Sequence, residues 1–166
     1  MDLKFKVMIH VSRPVAEVFE AVADPAQLSS YFTTGGPVGR LETGATVTWD
    51  FHDFPGAFPV AVGNVVPGEK IMLRWDANEG DGPAGYKTKV TMRFAPVDEG
   101  RRTLVEIEED GWRDTPGGLT ASYNNCMGWS QMFAALKMWA EHKINLREGA
   151  YKYSAALNQS PAFTSL

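Results

Sequence analysis

The hydrophobic residues of this chain change period late in the sequence, and that change limits the folds available to it. Between Val47 and Ile107 apolar side chains recur at every second residue in short runs, as strands buried on one face require. From Leu119 to about Arg147 they recur every three or four residues, the spacing of a helix with one apolar face. A series of strands closed by one long helix predicts an α+β domain. Its helix packs in the hollow of a curved antiparallel sheet of about six strands.

The first strand is expected at Leu3–Val11, where Leu3, Phe5, Val7 and Ile9 share a face. Two short helices should follow it. Ser12 is placed to cap the first, with Pro14 in its opening turn and Val15, Val18, Phe19 and Val22 as its stripe. Asp24-Pro25 starts the second, which should run to about Phe32. The middle strands carry Val47, Trp49 and Phe51, then Phe58, Val60 and Val62, then Ile71, Leu73 and Trp75. Asn78–Gly85 reads as a long polar connection. Tyr86, Thr88, Val90, Met92 and Phe94 form the next strand face, and Thr103, Val105 and Ile107 the last.

In the long helix, Leu119, Tyr123, Cys126, Phe133 and Ala140 join Asn125, Trp129, Met132, Leu136 and Trp139 in one broad apolar face. Gly128 lies within it at a cost of about 1 kcal/mol relative to alanine, which a close approach to another backbone would explain. Gly149 ends the pattern, so the domain is expected at residues 1–149. Residues 150–166 form a C-terminal tail with Tyr151, Tyr153 and Phe163, expected to fold back, to pair with another subunit or to be disordered.

Composition narrows the function. A chain of 166 residues suits a single domain, and its net charge of −4 argues against non-specific binding to nucleic acid or to an anionic membrane. No run approaches the roughly 18 apolar residues of a spanning helix, and Met1–Lys6 has no apolar signal core, so a cytoplasmic protein is expected. The single cysteine, Cys126, permits no intrachain disulfide and reads as a small core residue. His10, His52 and His142 show no metal-ligand spacing, and no metal or other cofactor is expected. Gly35–Gly39 lacks the Lys-Ser/Thr and the following helix of a phosphate-binding loop and reads as a turn.

Four segments resemble a known family. They are Ile9–Pro25, with its Ser-Arg-Pro step and closing Asp-Pro, and the aromatic pair Tyr31-Phe32. The others are Val66–Trp75, a proline turn and strand ending in tryptophan, and Gly128-Trp129 followed by Phe133, Leu136 and Ala140. In this order they are similar to the START-like (SRPBCC) helix-grip superfamily, within it to the branch named after the activator of heat-shock-protein ATPase. The resemblance spans roughly residues 3 to 145 and implies the helix-grip fold. It also implies a cavity between sheet and helix, and lipids, polyketides, plant hormones or chaperone partners as the family's range of targets. Ala140 stands where the family usually has a larger aliphatic residue.

The candidate ligand-binding residues are Trp49, Phe51, Trp75, Met92, Glu109, Trp112, Asn125, Trp129 and Phe133. The aromatic ones read equally as core packing, because core and cavity are nearly one surface in such a fold. Trp112 is expected near the cavity mouth and Trp139 at the far end. Extending the period of Val105 and Ile107 turns Glu109 inward, as a weak candidate for an acid or a hydrogen-bond acceptor. The blander reading, which the sequence favours, bends the strand outward at Gly111 and leaves Glu109 solvated. Asn125 is likewise expected to bond a nearby loop rather than a ligand. The acidic run of Glu106, Glu108, Glu109 and Asp110 reads mostly as a solvated strand edge.

Three functions compete. The first is binding of a small apolar or aromatic molecule without established catalysis. The second is an interaction module, either a chaperone cofactor or a homodimer, using exposed apolar residues of the tail. The third is a polyketide cyclase-like enzyme in which Glu109, Tyr86 or Tyr123 moves protons.

Overall fold

A computed structural model describes residues 1–36, 38–80 and 82–151. Tyr153 and Phe163, the aromatic residues of the expected tail, lie outside the described residues.

The elements follow the order β1 (Leu3–Val11), α1 (Val15–Ala23), α2 (Pro25–Leu28), β2 (Thr46–Phe51), β3 (Phe54–Val66), β4 (Lys70–Asn78), β5 (Pro83–Val97), β6 (Arg102–Trp112) and α3 (Pro116–His142). The six strands make one antiparallel sheet in the order β1-β6-β5-β4-β3-β2. The chain leaves the sheet after β1, crosses with α1 and α2, and re-enters at the opposite edge. Successive hairpins then bring it back beside β1, and α3 lies over the inner face. The α+β helix-grip architecture expected from the sequence is the one observed.

The alternation of the strands places the core. Val11, Val47, Trp49, Val60, Ile71, Leu73, Val90, Met92, Val105 and Ile107 are buried against Trp129, Met132, Phe133 and Leu136 of α3. A smaller cluster of Leu3, Ala77, Trp112 and Ala121 closes the other end of the helix. On the outer face, Glu106, Glu108 and Asp110 pair with Lys6, Arg93 and Lys89 of the neighbouring strands. These carboxylates lie on an interior strand, because β6 sits between β1 and β5, and not on an edge.

Local chemistry moved several boundaries. Ser12 does not cap α1; Pro14 holds that position without a side-chain bond, and the Ser12 amide instead donates to Glu141 Oε1 at 2.6 Å. Asp24 does cap α2, accepting from the Ala26 amide at 2.9 Å, but this helix stops at Leu28 and turns carry the chain to Phe32. The ladder between β4 and β5 extends to Asn78 and Pro83, so the connection expected over Asn78–Gly85 shrinks to residues 79–82.

The long helix starts at Pro116, three residues before Leu119, because Thr115 caps it by accepting from the Gly118 amide at 3.0 Å and Pro116 fits its first turn. It ends at His142, where Lys143 takes a left-handed conformation with φ 58°, and not at Arg147. A β-carbon at Gly128 would meet no atom within 4 Å, so among the described residues no backbone approach accounts for it. The close approach is at Gly118, where a β-carbon would lie 2.1 Å from the Arg113 carbonyl oxygen.

Candidate functional site

The buried face in the first half of α3 runs through Gly118, Ala121, Ser122 and Trp129. Leu119 and Tyr123 point to solvent, 38% and 68% exposed, and do not belong to the apolar face assigned from the sequence. Cys126 is half-buried. Small side chains replace large ones where the helix start meets Trp112 and Leu3, so hydrophobicity alone gave the wrong phase there.

Glu109 is the centre of the site. Period two holds along β6 through Thr103, Val105 and Ile107 to Glu109, which is 0% exposed. The bend does fall at Gly111, with φ 97°, but after Glu109 has already turned inward. The solvated reading of this residue is therefore wrong. A buried carboxylate needs donors, and Glu109 has four side chains supplying them. Its Oε1 accepts from Trp75 Nε1 at 2.9 Å, Thr88 Oγ1 at 2.7 Å and Asn125 Nδ2 at 3.1 Å. Its Oε2 accepts from Trp129 Nε1 at 2.9 Å and Asn125 Nδ2 at 3.2 Å. Asn125 thus serves Glu109 and not a neighbouring loop. Burial pushes the Glu109 carboxyl above the usual glutamate range, and the bonds from Thr88, Trp75, Trp129 and Asn125 pull it part of the way back.

Around this carboxylate the indoles form a box. Trp75 and Trp129 stack with ring centres 5.3 Å apart, and Trp49 meets Trp75 edge-on at 5.7 Å. Phe32 lies on the Trp129 ring at 5.8 Å and meets Phe51 edge-on at 5.0 Å, while Phe51 stacks on Phe58 at 6.0 Å. Trp49, Trp129 and Phe32 are buried, whereas Trp75, Phe51, Phe58 and Asn125 are half-exposed and form the rim. Beyond Phe51 the box is closed by Arg147, whose guanidinium lies 4.6 Å from that ring centre and pairs with Asp53 at 2.9 Å.

The structure brings together Trp49, Phe51, Trp75, Glu109, Asn125 and Trp129 of the expected residues. Met92 and Phe133 are buried in the main core, but neither bonds to Glu109. Trp112 is not at the mouth of the box: it packs in the separate cluster with Leu3, Ala77 and Ala121. Tyr123 is exposed, and the Tyr86 hydroxyl donates to Glu79 at 2.7 Å, so neither tyrosine adjoins Glu109. Sequence reasoning missed Phe32, Phe58, Thr88 and the Asp53–Arg147 pair as parts of the site. Thr88 was legible in retrospect: it lies two residues from Val90, the direct cross-strand partner of Glu109. Two surface hollows, of about 320 and 250 Å³, lie beside α1 and do not reach Glu109. Between sheet and helix the rings of Phe32, Trp49, Trp75 and Trp129 pack on one another.

An antiparallel sheet wrapped on one long C-terminal helix is the architecture of a START-like (SRPBCC) helix-grip protein. The family model described as "Activator of Hsp90 ATPase homolog 1-like protein" matches residues 12–154, and the chain belongs to that family. Among solved structures it is similar to DynU16, a protein of the dynemicin biosynthetic locus, at 25% identity and a TM-score of 0.72 over 92% of this chain and 51% of that one. The chain thus spans about half the length of DynU16. CalU16 from Micromonospora echinospora is 18% identical, with a TM-score of 0.63 over 93% of this chain and 79% of that one. The Aha1 dimer from Colwellia psychrerythraea is 17% identical, with a TM-score of 0.68 over 84% of this chain and 97% of that one. These last two establish likeness of fold. A comparison with curated proteins finds no match. Among the described residues no helix is long and apolar enough to cross a membrane, and no group of three or more His, Cys, Asp or Glu side chains is placed to hold a metal ion.

Proposed function

We propose that this protein binds a small aromatic molecule at the rim between β4 and α3, with Glu109 as its polar anchor. One observation carries the reading: a fully buried carboxylate lies at the end of an aromatic box whose rim residues, Trp75, Phe58 and Asn125, reach solvent. Packing alone does not call for such a group, since an apolar residue of similar volume would fill the space without desolvating a charge. Ligand sites combine apolar walls with a few convergent polar groups in this way. The half-exposed Trp75 indole, backed by Trp129, offers the landing surface, and the Asn125 amide covers the path to Glu109.

The test is a screen of small aromatic compounds against uniformly 15N-labelled protein. Compounds that bind here shift the indole N–H signals of Trp75 and Trp129 and leave that of Trp139 in place. A broad screen that moves neither signal overturns the proposal.

Self-association is a second reading. Leu119, Tyr123 and Met127 form an exposed apolar stripe along α3, and a protein of the same fold, from Colwellia psychrerythraea, is described as a dimer. Sedimentation equilibrium is expected to show dimers that Tyr123→Glu dissociates. A wild-type protein that stays monomeric at high micromolar concentration removes this reading.

A further inference from the structure

A carboxylate taken out of water ordinarily has a lysine, an arginine or a metal ion beside it. Among the described residues Glu109 has none: its bonds come from Thr88, Trp75, Asn125 and Trp129, all neutral donors. Its direct cross-strand partners, Phe5 and Val90, carry no charge, and Trp75 and Trp129 set indole rings beside it. The face of an aromatic ring attracts a cation through its quadrupole, and indole does so most strongly. This molecule already uses that attraction at the outer end of the box, where Arg147 lies 4.6 Å from the Phe51 ring centre and 5.9 Å from that of Phe32. The inner end has the aromatic walls and a negative charge as well, and lacks the cation.

Asn125 marks where a cation would sit. Its amide nitrogen is shared almost evenly between the two oxygens of Glu109, at 3.1 and 3.2 Å. The Thr88, Trp75 and Trp129 bonds are shorter, at 2.7 to 2.9 Å. A donor shared in this way lies near the bisector of the carboxylate, a place where an ammonium group can bond both oxygens. Releasing Asn125 gives up two long bonds from a neutral group, whereas an ammonium returns shorter, charge-assisted ones. Asn125 reaches solvent, so its amide can leave by turning outward.

We infer that the site is suited to an aromatic amine in its protonated form. The nitrogen replaces the Asn125 amide on Glu109, and the ring lies against Trp75. This rests on the aromatic-binding reading above and adds the charge of the guest. The net charge of −4 favours the approach of such a molecule.

Three probes with closely related skeletons separate the two readings: 2-phenylethylamine, 2-phenylethanol and phenylacetate, titrated at neutral pH and followed through the Trp75 and Trp129 indole signals. The amine is expected to bind roughly tenfold more tightly than the alcohol, with the acid weakest. Glu109→Gln should abolish the advantage of the amine. If that variant does not fold, Asn125→Ala provides the check: it should raise the ratio of amine to alcohol affinity a few-fold, and an unchanged or lower ratio overturns the charge inference. Equal affinity for amine and alcohol overturns the charge inference while aromatic binding stands. An amine advantage that survives Glu109→Gln overturns it too. Failure of all three probes to bind overturns the charge inference, and the broad screen then decides aromatic binding.

Discussion

At the scale of single residues, Glu109 holds the site together and is also its costliest member. Its carboxyl is pushed up by burial, so across the range between its ordinary value and its folded one the unfolded chain has lost a proton that the folded chain keeps. Stability therefore falls as pH rises through that window and is free of this penalty below it. Side-chain carboxyl NMR should place the Glu109 titration above the usual glutamate range, and the urea midpoint should carry a matching pH dependence that Glu109→Gln removes. Trp129→Phe keeps a ring in the box and deletes the donor 2.9 Å from Oε2. It is expected to cost about 1.5–3 kcal/mol in urea unfolding, as loss of a hydrogen bond to a charged group does, and to move the Glu109 titration further upward. A variant as stable as wild type would mean that the carboxylate draws little from this indole.

At the scale of elements, α3 shows which features of a helix a sequence discloses. Its second half was legible, because Met132, Leu136 and Ala140 repeat at the period expected of a buried stripe. Its start was not, since Pro116, Gly117 and Gly118 are poor helix formers and only the cap at Thr115 announces them. Two glycines in this helix predict opposite outcomes. Gly128→Ala places a methyl in open space and should stabilise the protein by about 1 kcal/mol. Gly118→Ala drives a β-carbon into the Arg113 carbonyl and should lower the melting temperature despite the better propensity of alanine. The other end of α3 is tied to β1 through Glu141, which accepts from the Ser12 amide and from Lys137 Nζ at 2.5 Å. Burial alone would raise this carboxyl, but the Lys137 and Ser12 bonds bring it below the usual range. Its contribution is thus present above the ordinary glutamate value and lost as pH falls through the folded one. Glu141→Gln should cost about 1 kcal/mol near neutral pH and nothing in acid, as measured by chemical denaturation.

At the scale of the whole molecule, the order of strands and the single gripping helix were readable because period two and period 3.6 are properties of neighbouring residues. The site was readable only in part. Trp49, Trp75 and Trp129 declared themselves by face, and Glu109 by register, but their convergence depends on how four separate elements lie together. The Asp53–Arg147 pair was not readable at all: its partners are 94 residues apart, and one lies beyond the helix. Here the side chains are 0% and 11% exposed. Removing one partner of so buried a pair typically costs about 3–5 kcal/mol. Arg147→Met should therefore destabilise strongly, and Asp53→Leu in the same chain should recover part of the loss. Thermal unfolding of the two variants checks both statements; equal melting temperatures for the single and double variants would show that Asp53 is not left stranded.

That pair also sets an order of assembly during synthesis. The sheet residues of the box, from Trp49 to Glu109, emerge from the ribosome well before Trp129 and Arg147. Until α3 follows, Glu109 lacks two of its donors and Trp75 the ring on which it stacks. Until residue 147 is clear of the exit tunnel, the β2–β3 turn holds a carboxylate with no guanidinium to meet it. A nascent chain stalled before α3 emerges leaves an apolar, tryptophan-bearing sheet face uncovered. Synthesis of α3 and of the residues up to Arg147 converts that face into an interior.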